Sequence, residues 1–205
     1  MNDFYDYFRI DDHRIGVVIA DASGKGVPAA IFMAVSHTLI RARGDDGLEP
    51  AACMKRVNDA LCPDNDEAMF VSVFYGVLDN STGQLSYCNG GHNPPIIRRA
   101  NGDVAFLEEK GGPALGVIDD ADYDQATIDF APDDTLLLFT DGVTEAFDED
   151  GEPYGESQLM DVFKRLGSAD PQAVAETIEN VVMDHAGDAE QHDDITTLVL
   201  RRPAE

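Results

Sequence analysis

The sequence IGVVIADASGKGVPAA, residues 15–30, combines three local signals that decide how this part of the chain folds. Its first six residues form a mostly β-branched run that predicts a buried strand, and Asp21 follows at the end of that strand. A loop with Gly24 and Gly26 then leads to Pro28, which suits the first position of a helix because its φ angle is already helical. The stretch therefore predicts a strand, a carboxylate at its tip and a helix directly afterwards.

The rest of the chain shows the same kinds of pattern, arranged in blocks. The predicted strands are residues 4–10, 15–20, 70–78, 84–88, 96–99, 104–107, 126–130, 135–140 and 195–201. The predicted helices are residues 28–43, 50–61, 156–166 and 171–186. Because strands and helices do not alternate one by one, the order predicts an α+β fold in which helices cover antiparallel sheets. No linker marks an internal domain boundary, and residues 111–124 are predicted as a loop.

The composition of the chain excludes several classes of protein. The chain has 205 residues, 43% of them hydrophobic, which fits one domain with a real core. Its 14 basic and 40 acidic residues give a net charge of −26, which argues against nucleic acid and anionic membranes as partners. The longest apolar stretch, residues 27–35, is shorter than the roughly 20 residues of a membrane span. Three cysteines without a C-x-x-C pair predict free thiols, so we expect a soluble cytoplasmic protein.

Carboxylates stand at the ends of several predicted strands. These are Asp3 with Asp6, Asp21, Asp141 with Glu145, and Asp193 with Asp194. Carboxylates that converge on rigid strand ends repel one another, and a hard divalent cation such as Mg²⁺ or Mn²⁺ neutralises them. Two such cations about 3.5–4 Å apart can activate water and clamp a phosphoryl group. For any one of these residues alone, a turn former or helix cap is the commoner role.

Two other features carry weaker signals. The Ser23–Gly26 loop lacks the spacing of a phosphate-binding P-loop, so an NTPase is not predicted and Lys25 is expected to be solvated. His92 lies in the turn-rich sequence NGGHNPP, residues 89–95. A histidine in such a rigid loop is more often a structural hydrogen-bonding residue than a ligand or a base.

Five motifs in order resemble one known family. They are DFYD at residues 3–6, IADASGKGVPAA at 19–30, NGGHNPP at 89–95, TDGVTEA at 140–146 and DDIT at 193–196. Together they resemble the SpoIIE-type (RsbU-like) branch of the metal-dependent protein phosphatases, relatives of protein phosphatase 2C. The resemblance extends from residue 3 to about residue 201, nearly the whole chain.

The resemblance implies a fold and an activity. The expected fold is a four-layer α-β-β-α sandwich of two antiparallel sheets flanked by helices, with residues 1–205 forming the catalytic domain. The expected activity is that of a protein serine/threonine phosphatase that uses two divalent cations, Mn²⁺ or Mg²⁺. In this family a hydroxide that bridges the two cations attacks phosphorus in line, without a phosphoenzyme.

The resemblance also implies roles for individual residues. Asp21 would bridge the two cations, the main-chain carbonyl of Ala22 would be a ligand, and Asp3 would bind one cation directly or through water. Asp141 and Asp193 would hold the other side, with Asp193 favoured over Asp194. The expected catalytic residues are Asp21, Asp141 and Asp193. The candidate substrate-binding residues are Gly24, Lys25, His92 and Gly142.

Partners follow from the same resemblance. The expected substrate is a phosphorylated STAS-domain anti-anti-sigma factor in bacterial partner-switching and stress signalling, and a homodimer is possible. An upstream sensory domain would act through the helix pair of residues 28–61. Met1 and Asn2 stand where the family has two glycines, which predicts a truncated start that lacks an edge strand and leaves Asp3 loosely held. Two alternatives are a catalytically silent module of the same fold that binds a partner, and an acidic metal-binding protein without a catalytic site.

Overall fold

Two compact units make up the chain in the computed structural model. The structure describes residues 2–63, 65, 67–108, 110–167 and 169–204, so Met1 lies outside the described residues. The N-terminal unit comprises Met1–His92 and Glu108–Phe130, and the C-terminal unit comprises Asn93–Leu107 and Ala131–Glu205. This division was not predicted, because each unit is built from two separate stretches of chain and no linker composition marks the changeover.

The helices and strands follow the order expected from the sequence, with one additional short strand and one additional short helix. The strands are β1 Asp3–Arg9, β2 Arg14–Ala22, β3 Val71–Asp79, β4 Gln84–Gly90, β5 Ile96–Arg98, β6 Val104–Phe106, β7 Gly111–Gly112, β8 Ala126–Asp129, β9 Thr135–Phe139 and β10 Thr197–Arg201. The helices are α1 Val27–Asp45, α2 Pro50–Leu61, α3 Asp141–Thr144, α4 Gly155–Leu166 and α5 Pro171–Ala186. The α+β class is confirmed. Among the described residues, no helix is both long and apolar enough to cross a membrane.

The sheet of the N-terminal unit has the strand order β1-β2-β3-β4-β7, and β8 also pairs with β4. Its pairs are antiparallel apart from β4 and β7, which run parallel with Asn89 opposite Gly111. The expectation of purely antiparallel sheets is therefore wrong at this pair, as is the loop prediction at residues 111–112. After β4 the chain later returns beside that strand and, as β7, runs in the same direction as β4. Only two residues of each strand pair.

Helices α1 and α2 cover one face of this sheet. Each begins with a proline in its first turn, as the sequence predicts. Because side chains alternate along a strand, Val18, Ala20 and Ala22 enter the apolar core beneath the helices. Asp21 is therefore directed to the opposite face of the sheet.

The ring of Phe8 fills the space beside two glycines in this core. A Cβ atom at Gly16 would lie 2.7 Å from the Phe8 ring, and one at Gly44 would lie 2.4 Å from it. The Phe8 ring of the edge strand β1 therefore packs directly against the main chain of β2 at Gly16 and of α1 at Gly44. The three cysteines are free, as expected, and burial raises the pKa of Cys53 and of Cys88 to about 12.

Strand β1 is anchored to its neighbours along its length. It pairs with β2 from Asp3 opposite Asp21 to Arg9 opposite Ile15. Arg41 of α1 donates a hydrogen bond to Asp6 Oδ2 at 2.8 Å, and His37 Nε2 lies 3.0 Å from the same oxygen. Partial burial raises the pKa of Asp6, but the hydrogen bonds from Arg41 and His37 outweigh it and hold the pKa below its usual value. This ion-pair cluster ties the strand that carries Asp3 to the helix above it.

The C-terminal unit has its own antiparallel sheet with the order β10-β9-β5-β6. Its core is formed by Leu137 and Phe139 of the buried strand β9 together with side chains of α4 and α5. Helix α5 has the predicted bounds, and the Asp170 side chain accepts a hydrogen bond from Gln172 N at 3.0 Å. That contact is a helix N-cap, because the carboxylate satisfies one of the free amides of the first turn.

A buried carboxylate, Asp134, stabilises the turn before β9. Its side chain is only 2% exposed. It accepts hydrogen bonds from Arg99 Nη1 at 2.8 Å, from the main-chain N of Ala100 at 2.9 Å and from that of Ala131 at 3.0 Å. The sequence Pro-Asp-Asp at residues 132–134 is typical of a turn but does not identify a distant partner, so the link between this turn and the β5–β6 hairpin is a finding of the structure.

Candidate metal centre

A row of polar side chains crosses one end of the N-terminal sheet. The register places Asp3 of β1 opposite Asp21 of β2, and Asp21 opposite Ser72 of β3. Residues directly opposite each other in antiparallel strands share a face, with Cβ atoms about 4.5–5.5 Å apart. The two carboxylates are therefore neighbours on the face of the sheet that α1 and α2 leave uncovered.

The loop after Asp21 is held by contacts with other segments. Ser23 N donates to Phe70 O at 2.8 Å, and the Ser23 hydroxyl accepts from Phe70 N at 2.9 Å. Asn2 donates from its side-chain amide to the carbonyl of Gly24, whose φ of +89° lies in the left-handed region that favours glycine. Lys25 is exposed, in agreement with the expected solvated lysine.

In the C-terminal unit the ends of β9 and β10 bring a second pair of carboxylates together. Thr140 N donates to Thr196 O at 3.1 Å, which joins the segment before Asp141 to the one after Asp194. Burial, and then the charge of Asp193, raise the pKa of Asp141 above its usual value. Asp193 itself accepts a hydrogen bond from Asp194 N at 2.8 Å. A cation here would neutralise two like charges, so the donor set fits a hard divalent metal.

Gly142 stands where the two segments meet. A Cβ atom at this position would lie 2.0 Å from the main-chain oxygen of Asp194. Asp194 thus lies against Gly142, in the first turn of α3, through its main-chain carbonyl group. The carboxylate whose charge acts on Asp141 is that of Asp193. The preference for Asp193 over Asp194 as ligand stays a prediction.

Gly142→Ala is expected to lower the stability of the chain by about 2–3 kcal/mol and to weaken Mn²⁺ binding, because two main-chain segments must separate to admit the methyl group. Urea unfolding and calorimetric Mn²⁺ titration measure the two effects. Gly151→Ala is the matched control: its φ of +84° strains an alanine, but no atom lies within 4 Å of the new Cβ. Equal losses in the two variants would contradict the packing argument.

The loop that carries His92 is locked by reciprocal hydrogen bonds. His92 N donates to Asn89 Oδ1 at 2.7 Å, and Asn89 Nδ2 donates to His92 O at 2.8 Å. His92 as a whole is only 6% exposed, and its ring Nδ1 lies 2.8 Å from Ser72 Oγ. The structural role expected for His92 agrees with these contacts. Ser72 was not predicted, although a lone serine in the apolar run of residues 70–78 could have drawn attention to it.

A polar cavity of about 400 Å³ opens beside this loop. It is lined by Asn89, Gly91, His92, Lys110, Gly111 and Gly112. Of the four candidate substrate-binding residues, His92 lines this cavity, and the other three do not belong to its lining.

Each unit thus gathers two of the expected acidic ligands, Asp3 with Asp21 and Asp141 with Asp193. Across the part of the chain that the structure describes, no group of three or more His, Cys, Asp or Glu side chains is arranged to hold a metal ion. The complete ligand set stays a prediction.

Comparisons with known proteins agree with the motif resemblance. A family model described as Stage II sporulation protein E (SpoIIE) matches residues 11–203. Protein IcfG of Synechocystis sp. (strain ATCC 27184 / PCC 6803 / Kazusa) is 30% identical over 98% of this chain and 36% of its own length. Phosphoserine phosphatase RsbU of Bacillus subtilis (strain 168) is 29% identical over 98% of this chain and 60% of its own length. The chain therefore spans less than two thirds of either relative.

Solved structures show the same fold. The SiaA-PP2C domain of Pseudomonas aeruginosa matches with a TM-score of 0.86 at 22% sequence identity. The match covers 98% of this chain and 80% of that one. At this level of identity the likeness concerns the fold alone.

Proposed function

Since the chain belongs to the SpoIIE family, we propose that it is a phosphoprotein phosphatase that hydrolyses phosphoserine with the help of two divalent cations, Mn²⁺ or Mg²⁺. The observation that carries the proposal is the pairing of carboxylates at strand ends, Asp3 beside Asp21 and Asp141 beside Asp193. Adjacent carboxylates repel each other, and hard cations are the partners that suit them.

The proposed ligands come from β1, from β2, from the start of α3 and from the segment before β10. Asp21 would contact both cations, the Ala22 carbonyl and Asp3 would complete one side, and Asp141 and Asp193 the other. When bound, two such cations supply an activated water and neutralise charge that develops on the phosphoryl oxygens. Asp21 suits the central role because β2 is hydrogen-bonded on both sides, by β1 and by β3, so its carboxylate is held in place before substrate arrives.

Substrate contacts are proposed around the same strand ends. The exposed ammonium of Lys25 would attract the phosphate, and the imidazole of His92 would orient it. The loop at Gly24 and the helix start at Gly142 would allow close approach of main-chain atoms to the phosphoryl group. In-line displacement then requires the serine oxygen to leave on the side opposite the attacking water.

The biological setting is proposed from the relatives. RsbU is named a phosphoserine phosphatase, which supports a phosphorylated protein substrate, and we propose a STAS-domain regulator in partner-switching or stress signalling. A cytoplasmic location, an upstream sensory domain and a homodimer belong to the same proposal. The exposed apolar side chains Val27, Ile31 and Val35 on α1 support a role of the α1–α2 pair in contacting that upstream domain.

Turnover of a phosphoserine protein and of an aryl phosphate should rise saturably with added Mn²⁺, should disappear with a chelator and should return when Mn²⁺ or Mg²⁺ is restored. Release of inorganic phosphate measures the first substrate and absorbance the second. Calorimetry of the same preparation reports metal binding. Metal binding without turnover on either substrate would contradict the enzyme and favour the catalytically silent module.

A further inference from the structure

The polar cavity lies in the same sheet as Asp21, on the side of the sheet that ends in β4 and β7. The strand order is β1-β2-β3-β4-β7, and the cavity is lined by the end of β4, the loop after it and the segment that forms β7. His92 in the cavity wall contacts Ser72, which is the register partner of Asp21. The cavity and Asp21 are therefore at the same end of the sheet.

The polar side chains of the cavity wall differ in how far they are already engaged. The side chain of Asn89 exchanges two hydrogen bonds with the main chain of His92. His92 is buried, and its ring Nδ1 lies beside the Ser72 hydroxyl. The side chain of Lys110, in contrast, is 44% exposed. Among the lining residues, Lys110 is therefore the charged side chain that a ligand can reach.

The ammonium group of Lys110 has a carboxylate neighbour that a ligand can replace. It lies 3.3 Å from the Glu108 carboxylate, and the Glu108 side chain is 72% exposed. An ion pair between two side chains this exposed is weak, because water solvates both charges. The flexible four-carbon side chain of lysine allows its ammonium to turn from Glu108 to another carboxylate in the cavity.

A cation at this place has a specific effect because the chain as a whole is strongly acidic. The net charge of −26 repels an acidic segment of any substrate at long range. Lys110 creates a position in which an acidic side chain is attracted, and complementary charges of this kind determine which partner is accepted. An acidic side chain is thus distinguished from a neutral one by the sign of its charge.

We infer that the polar cavity is a specificity site for the phosphoprotein chain, in which Lys110 binds an acidic side chain about three or four positions from the phosphoserine. The inference rests on the proposed function. Neighbouring strands are about 4.8 Å apart, so β4 and β7 lie about 10 and 14 Å from β2, the strand of Asp21. An extended peptide covers about 3.3 Å per residue, so about three or four residues span this distance.

Phosphoserine peptides test the inference when one Glu is moved through the positions on either side of the phosphoserine in an otherwise neutral sequence. With Glu about three or four positions away, wild-type kcat/KM should be about fivefold above that of the same peptide with Gln there. Lys110→Ala should reduce this Glu/Gln ratio to about one, and Lys110→Glu should make a lysine the preferred residue. Added salt should lower the wild-type ratio, because a partly exposed ion pair is screened.

Two further variants separate a contact in the cavity from a change in overall charge. Glu108→Gln removes the present partner of Lys110 at nearly constant size, and it should raise the Glu/Gln ratio about twofold. Arg56→Ala removes an exposed positive charge from α2, which covers the other face of the sheet, and it should leave the ratio at the wild-type value.

The inference is overturned if the wild-type ratio is about one at every position, if Lys110→Ala keeps the wild-type ratio, or if Arg56→Ala lowers the ratio as much. Turnover of the aryl phosphate without turnover of any peptide would also overturn it. If Lys110→Ala does not fold, Lys110→Gln and Glu108→Gln decide. A wild-type chain that hydrolyses neither kind of substrate at saturating Mn²⁺ would instead contradict the proposed function, on which this inference depends.

Discussion

Asp21→Ala is expected to abolish turnover, with a loss of at least about a thousandfold at saturating Mn²⁺, while the chain remains folded. Asp21 is the carboxylate proposed to contact both cations, and it lies between Asp3 and Ser72 in the row across β1, β2 and β3. Its removal would eliminate the ligand shared by the two metals. Initial rates on the phosphoserine protein and calorimetric Mn²⁺ titration measure the loss.

Stability provides the control for this variant. Without metal, removing one of two adjacent carboxylates relieves repulsion, so the unfolding midpoint of Asp21→Ala should be equal to or slightly above that of the wild type. Asp119→Ala changes an exposed aspartate in the same unit and should leave both rate and midpoint unchanged. Turnover within tenfold of the wild type, or a loss that merely follows unfolding, would contradict the role given to Asp21.

Asp134→Ala should have the largest effect on stability, lowering the free energy of unfolding by about 3 kcal/mol or more. The substitution removes a nearly fully buried acceptor. The main-chain N–H groups of Ala100 and Ala131 and the guanidinium of Arg99 each lose the hydrogen bond that they donate to it. Each buried donor left without an acceptor costs about 1–3 kcal/mol. Urea unfolding followed by circular dichroism measures the change.

Asp161→Ala is the matched control for Asp134→Ala. Asp161 is an exposed residue of α4 in the same unit, and its replacement should change stability by no more than about 0.5 kcal/mol. The loss of stability in Asp134→Asn should lie between the losses in Asp134→Ala and Asp161→Ala, because an amide oxygen keeps part of the acceptor capacity. A loss below about 1 kcal/mol in Asp134→Ala would show that water replaces the carboxylate and that the turn does not depend on it.

Local signals were enough to predict most elements of the fold. Helices α2 and α5 have the predicted bounds, because a proline opens each of them and an apolar stripe continues to its end. The β1–β2 hairpin follows from two apolar runs around a polar turn. In contrast, α3 and β7 were missed. Four residues of α3 and two glycines of β7 have little propensity of their own and are shaped by distant segments.

The candidate site, like the fold, could be predicted from the sequence only in part. The strand-end carboxylates could be proposed from the sequence, because an aspartate after a buried apolar run is visible in one dimension. Ser72 and Asp134 could not, since their roles depend on partners far away in the sequence: Asp21 and His92 for Ser72, Arg99 for Asp134. Strand register and burial of a turn are properties of the folded chain.

The packing of Phe8 between Gly16 and Gly44 limits the routes by which this protein can evolve. At Gly16 the three atoms nearest to an added Cβ all belong to the Phe8 ring, whereas at Gly44 the Tyr75 hydroxyl also lies 2.9 Å away. A smaller residue at position 8 would therefore remove the three nearest obstacles to a side chain at position 16, whereas the Tyr75 hydroxyl would still obstruct one at position 44. Gly16 can therefore be replaced only after Phe8 has been replaced by a smaller residue. Replacement of Gly44 is obstructed by both Phe8 and Tyr75.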